Sequence, residues 1–89
     1  MEFSRDGRWI TYVSYPDRAL WRSRSDGSER LQLTFPPDKT YLPRWSPDGR
    51  RIAYVADRPG KRPRIFVIGA EGGKPRPVLS GFVRHAQLA

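Results

Sequence analysis

Trp45-Ser46-Pro47-Asp48-Gly49-Arg50-Arg51-Ile52-Ala53-Tyr54-Val55 reads as the end of one strand, a tight turn and the start of the next strand. Asp-Gly is strong turn chemistry: Gly takes the positive φ that other residues resist, and the Asp carboxylate ties back to nearby backbone N–H groups. Phe3-Ser4-Arg5-Asp6-Gly7-Arg8-Trp9-Ile10-Thr11-Tyr12-Val13 repeats the unit 42 positions earlier. The chain is therefore two copies of one supersecondary unit. Ser4, Asp6 and Gly7, with Ser46, Pro47, Asp48 and Gly49, are read as structural turn formers. Arg5 stands where the second copy has Pro47, which loosens the first turn without abolishing it.

Working outward, the first copy reads as strands over Arg8–Tyr15, Ala19–Ser25 and Glu29–Phe35, divided by Pro16-Asp17-Arg18 and Ser25-Asp26-Gly27-Ser28. Phe35-Pro36-Pro37-Asp38-Lys39 is too rich in Pro for a central strand and separates the copies. The second copy reads as strands over Tyr41–Ser46, Arg50–Ala56, Arg64–Ile68 and Pro75–Ser80, with a turn at Glu71-Gly72-Gly73. Arg64-Ile65-Phe66-Val67-Ile68 is the pattern of a strand covered on both faces. Aromatics recur at matched positions, Tyr12 with Tyr54 and Trp21 with Phe66, which reads as packing rather than sugar stacking. Trp9, matched to Arg51, does not follow that rule.

Four short antiparallel strands per copy, repeated at a little over 40 residues, select an all-β propeller of two four-stranded blades. Residues 1–35 form the first blade, its inner strand truncated, and residues 36–80 the second. Residues 81–89 match the front half of the inner strand and are expected to complete a blade of a neighbouring chain. Glu2 and Phe3 with Ala86, Gln87, Leu88 and Ala89 are the expected closure interface. A sheet apolar on both faces needs a neighbour on each side, and two blades cover only one face each. Head-to-tail association into a closed homo-oligomer is the expected solution, six blades from three chains or eight from four.

The 89 residues contain 17 Lys and Arg against 9 Asp and Glu, a net charge of +8. Such a balance favours polyanions at long range, but the bases are scattered through turns, and a solvated surface is the simpler reading than a nucleic-acid site. Arg58, Lys61, Arg62 and Arg64 form the one concentrated basic loop and the candidate polyanion site. No apolar run approaches the roughly 20 residues that span a bilayer, and no charged-then-apolar leader opens the chain, so it reads as soluble and unexported as given. With no Cys, disulfides and thiolate metal sites are excluded.

No pattern calls for catalysis, a metal or another cofactor. Asp6 and Asp48 each stand alone in a turn with no second ligand, and Ser4 and Ser46 lack a Gly-x-Ser-x-Gly elbow and a paired base. His85 is the single His, with no carboxylate cluster beside it in sequence. Gly72-Gly73-Lys74 lacks the spacing of a phosphate-cradling loop.

Pro43-Arg44-Trp45-Ser46-Pro47-Asp48-Gly49-Arg50-Arg51-Ile52-Ala53-Tyr54-Val55, with Arg64-Ile65-Phe66-Val67-Ile68 and Gly72-Gly73, resembles the TolB-type β-propeller repeat, found also in prolyl oligopeptidase and dipeptidyl peptidase relatives. The resemblance covers essentially the whole chain, twice. It implies a bacterial blade pair, a preference for the six-bladed trimer over the tetramer, and a parent family often periplasmic. It also implies binding of protein partners, or gating of a hydrolase domain in the peptidases. The chain is thus expected to be a fragment or an engineered minimal unit.

Three functional readings follow. The first is a non-enzymatic scaffold or binding module that self-assembles into a ring and takes a protein partner. The second is a polyanion-binding ring, and the third a propeller piece of a periplasmic interaction or peptidase-gating protein.

Overall fold

The computed structural model describes residues 1–78. The first sheet is built from β1 (Glu2–Phe3), β2 (Trp9–Val13), β3 (Leu20–Arg24) and β4 (Leu31–Gln32), and the second from β5 (Lys39–Trp45), β6 (Arg51–Asp57), β7 (Arg64–Gly69) and β8 (Gly72–Pro77). Each sheet is an antiparallel meander in chain order. Phe3 pairs with Ile10 in the first and Trp45 with Ile52 in the second, so the repeat seen in the sequence is a repeat of register.

The two β-turns match bond for bond. Gly7 N donates to Ser4 O at 2.9 Å, and Gly49 N to Ser46 O at 2.9 Å. The buried Ser hydroxyls donate to Asp6 at 2.6 Å and Asp48 at 2.5 Å, and accept from Trp9 N and Arg51 N across the turn. Arg5 leaves this pattern unchanged, because the position before Asp demands only an ordinary negative φ, which Pro presets but does not monopolise.

Opposed residues of antiparallel strands share a face, and that rule shows how the sheets pack. Trp9, Thr11 and Val13 lie with Leu20 and Arg22 on one face of the first sheet, while Trp45, Ile52, Tyr54, Ala56 and Ile68 lie on one face of the second. These two faces meet. The core joins Leu20, Leu33, Trp45, Ile52, Tyr54, Ala56 and Ile68, with Trp9 and Val13 against it. Burying each large side chain there is worth about 1.5–3 kcal/mol. Polar groups in the joint are satisfied: Thr11 Oγ1 donates to Trp21 O at 2.9 Å, and Thr34 Oγ1 accepts from Leu20 N at 2.8 Å while sharing a hydrogen bond with Thr40 Oγ1 at 3.1 Å.

Several expected boundaries change. β4 is two residues long rather than spanning Glu29–Phe35, because Glu29 takes a positive φ of 53° and turns the chain out of the ladder. Lys39 opens β5 instead of closing the connection, since Thr40 must be buried beside Ala56. The last hairpin turns at Ala70-Glu71, Gly69 pairing with Gly72, so Gly72 and Gly73 lie inside β8. Their φ values of 95° and 102° accommodate a register shift that residues with Cβ atoms resist. In β7 only Ile68 is fully buried; Ile65 and Val67 lie on the sheet's outer face, half-exposed.

β5 contains a second irregularity. Its register slips between Tyr41 and Arg44, and Leu42 in the slip has φ 52° and is 76% exposed. Residues 79–89, including Ser80, His85, Ala86, Gln87, Leu88 and Ala89, lie outside the described residues.

Candidate functional site

The joint between the blades shows what each blade surface is built to hold. From the first blade Glu2 reaches over: its Oε1 accepts from Trp45 N at 3.2 Å and its carbonyl from the Trp45 indole at 3.0 Å. Glu2, expected at a junction between chains, is thus engaged within its own chain. At the other end Thr40 N donates to Arg18 O at 2.9 Å and Arg18 Nε returns to Thr40 O at 3.2 Å. The Arg18 guanidinium lies 3.8 Å from the Tyr41 ring centre and 4.9 Å from that of Tyr15. Cation–π contacts of this kind contribute about 0.5–1 kcal/mol at exposed sites. Arg18 went unnoticed in the sequence because its partners are some twenty positions away, and only the Asp17-Arg18 loop hinted at a special backbone.

Among the described residues no further sheet packs on the opposite face of either sheet, though the Arg18 guanidinium lies over Tyr41 there. On the first blade it carries Phe3, Ile10, Tyr12 and Trp21, and on the second Tyr41, Ala53, Val55, Ile65 and Val67. Phe3 is 56% exposed, whereas Trp45, its counterpart in the second blade, is buried in the joint. Tyr12 stacks on Trp21 with ring centres 6.5 Å apart, as Tyr54 stacks on Phe66 at 6.2 Å. The open face of blade one thus shares the aromatic pair and the β2 isoleucine position of the face by which blade two packs, with Ser23 where that face has Ile68.

Asp6 and Asp48 stand exposed on neighbouring turns that flank a shallow cleft with Ser4, Arg5, Pro47 and Gly49. Both carboxyls are held below the usual value of 3.8, first by the Ser4 or Ser46 hydroxyl and then by the backbone N–H of Arg8 or Arg50. They stay ionised and bind the turn. Among the described residues no group of three or more potential metal ligands converges.

The basic loop is divided. Arg58 Nε donates to Asp38 Oδ1 at 2.6 Å and its second nitrogen to Oδ2 at 3.0 Å, a two-pronged pair that raises the guanidinium pKa further. The pair fastens the loop to the linker ahead of β5. Pro59 and Gly60, the latter at φ 78°, form the turn closed by Lys61 N donating to Arg58 O at 3.0 Å. Lys61, Arg62 and Arg64 remain exposed, Arg64 lying 5.9 Å from the Phe66 ring centre. The structure therefore pairs Arg58, itself still exposed, with a carboxylate.

No family model matches the chain. Among curated proteins it is similar to the peptidase named YuxL of Bacillus subtilis, 47% identical over 84% of this chain and 13% of that protein. It is also similar to the Tol-Pal system protein TolB of Pseudomonas aeruginosa, 46% identical over 68% of this chain and 14% of that protein. Dipeptidyl-peptidase 5 of Porphyromonas gingivalis is 38% identical over 67% of this chain and 10% of its own length. The chain spans between 10 and 14% of the length of these relatives. A solved structure described as TolB from Agrobacterium tumefaciens superposes with a TM-score of 0.71 and 26% identity, over 86% of this chain and 31% of that one.

Proposed function

Because its two sheets are blades of the TolB-type propeller repeat, we propose that this chain is a non-enzymatic propeller module whose open faces take further blades head to tail, three copies closing a six-bladed ring. One observation carries the reading. The open face of blade one repeats most of the face by which blade two packs: Phe3, Ile10, Tyr12 and Trp21 stand for Trp45, Ile52, Tyr54 and Phe66, with Ser23 in place of Ile68. The back of blade two is correspondingly apolar at Tyr41, Val55, Ile65 and Val67. A sheet face of this kind must bury itself against another element, here another blade, and contacts of this heterologous type close when the rotation divides the circle. The ring is the binding platform, and a protein is the partner in keeping with this repeat; a periplasmic setting belongs to the same reading.

Multi-angle light scattering at micromolar concentration tests it. Three times the chain mass is expected, and Tyr12→Arg, which places a charge on the open face, should return the chain to a monomer. A folded monomer of the unaltered chain overturns self-assembly. That outcome supports a second reading, favoured by the greater length of the relatives: a blade pair within a longer propeller protein, its open faces covered by blades of the same polypeptide.

A further inference from the structure

Trp9 and Arg22 break the repeat at one place. The second copy has Arg51 and Val67 at the corresponding positions. In the first blade both lie on the face turned towards the joint, and both line a cavity of about 600 Å³ between the blades, walled by Trp9 and Trp45 and rimmed by Arg22, Arg50 and Glu71. That is within the roughly 300–1,000 Å³ of small-molecule sites. Two further clefts between the blades enclose about 190 and 260 Å³.

The walls are held in place. Arg22 Nε donates to Ala70 O at 2.6 Å and its Nη1 to Glu29 O at 3.3 Å, so the guanidinium is oriented by carbonyls that do not cancel its charge. Its Cζ lies 4.6 Å from the Trp9 ring centre, and that of Arg24 at 4.7 Å. The Trp45 indole is pinned by its bond to Glu2 O. Glu29 is neutralised by its ion pair with Arg24. That leaves two guanidinium groups, Arg22 and Arg50, against the single carboxylate of Glu71. Guanidinium forks match carboxylates in a bidentate fashion, and indole walls suit a flat apolar group.

We infer that the interblade cavity between Trp9 and Trp45 is a binding site for a small carboxylate bearing a flat apolar group, an aryl carboxylate in chemical class. All its walls belong to one chain, so the site does not depend on the ring.

Titration of 2-naphthoate into the ¹⁵N-labelled chain, followed through the indole N–H signals of its three Trp residues, tests the site. Saturable shifts of Trp9 and Trp45 are expected while Trp21, on the opposite face, stays still, and uncharged 2-naphthylmethanol should bind about tenfold or more weakly, the loss of one charge-assisted contact. Trp9→Arg installs the residue the second blade carries there and should abolish saturation with the Trp21 signal retained. Arg50→Gln, at an exposed side chain, should weaken binding by about tenfold and carries the test should Trp9→Arg unfold. Absence of saturation at millimolar ligand, an equal shift of Trp21, or binding indifferent to Arg50→Gln overturns the inference.

Discussion

Tyr12 and Tyr54 hold the same place in the two blades, each stacked on an aromatic of the next strand, yet Tyr54 is 2% exposed while Tyr12 is only half-buried. Ile10 and Ile52 differ in the same sense. Residue type, register and stacking are shared. What differs is the neighbour: the face bearing Tyr54 lies on blade one, and no described residue forms a sheet over the face bearing Tyr12. In this repeat the burial of a side chain is decided by the adjacent blade rather than by the blade it belongs to.

The sharpest way to break that comparison is truncation. Tyr54→Ala should cost about 3–5 kcal/mol, a large share of the ~5–15 kcal/mol typical of a whole domain; Tyr12→Ala in the monomeric chain should cost about 1 kcal/mol. Urea unfolding of both variants measures the difference, and equal costs would dissolve it. In an assembled ring the Tyr12 value should climb towards that of Tyr54.

Alkaline titration probes Tyr54 more gently. Burial, with the Asp38 charge adding to it, pushes the Tyr54 phenol up to about 12 from 10.0. Its contribution to stability is complete below pH 10, where the unfolded chain also keeps the proton, and is lost as pH rises towards 12, by roughly 2 kcal/mol. Tyr54→Phe should flatten the loss of stability over that window.

The turns supply the smaller effects. Arg5→Pro gives the first turn the residue that Pro47 supplies in the second, and should raise stability by about 0.4–1 kcal/mol through the unfolded chain; a lower urea midpoint would show that the two turns are not interchangeable. In acid, Asp6 and Asp48 have depressed pKa values, so what they contribute is present above pH 3.8 and lost as pH falls through the lowered values. Melting temperature against pH should therefore flatten below pH 4 to a similar, small extent in Asp6→Asn and Asp48→Asn.

How much of this was legible in the sequence depended on distance along the chain. Ser-x-Asp-Gly turns and alternating strands are local, and the two copies could be aligned because each obeys the same local chemistry. The choice of covered face could not be read, since Ile10, Thr11, Tyr12 and Val13 offer apolar groups on both sides of β2. Nor could the hairpin at Ala70-Glu71, because glycines inside β8 mimic a turn in sequence while serving a register shift in the sheet. Arg58 looked like part of a basic run until Asp38, 20 positions away, claimed it. The cavity left a trace all the same: Trp9 opposite Arg51 was an aromatic that failed to repeat.

Leu42 and Pro43 bear on a different hazard. β5 forms one edge of its sheet, where exposed N–H and C=O groups invite strands from other molecules. The positive φ of Leu42, the missing N–H of Pro43 and the slipped register around them deny an incoming strand a continuous ladder. Cross-β stacking is thereby discouraged on a molecule whose flat sides remain adhesive. Association is directed through the faces, where each added blade carries a fixed rotation, and away from the edge, where strand addition has no natural stopping point.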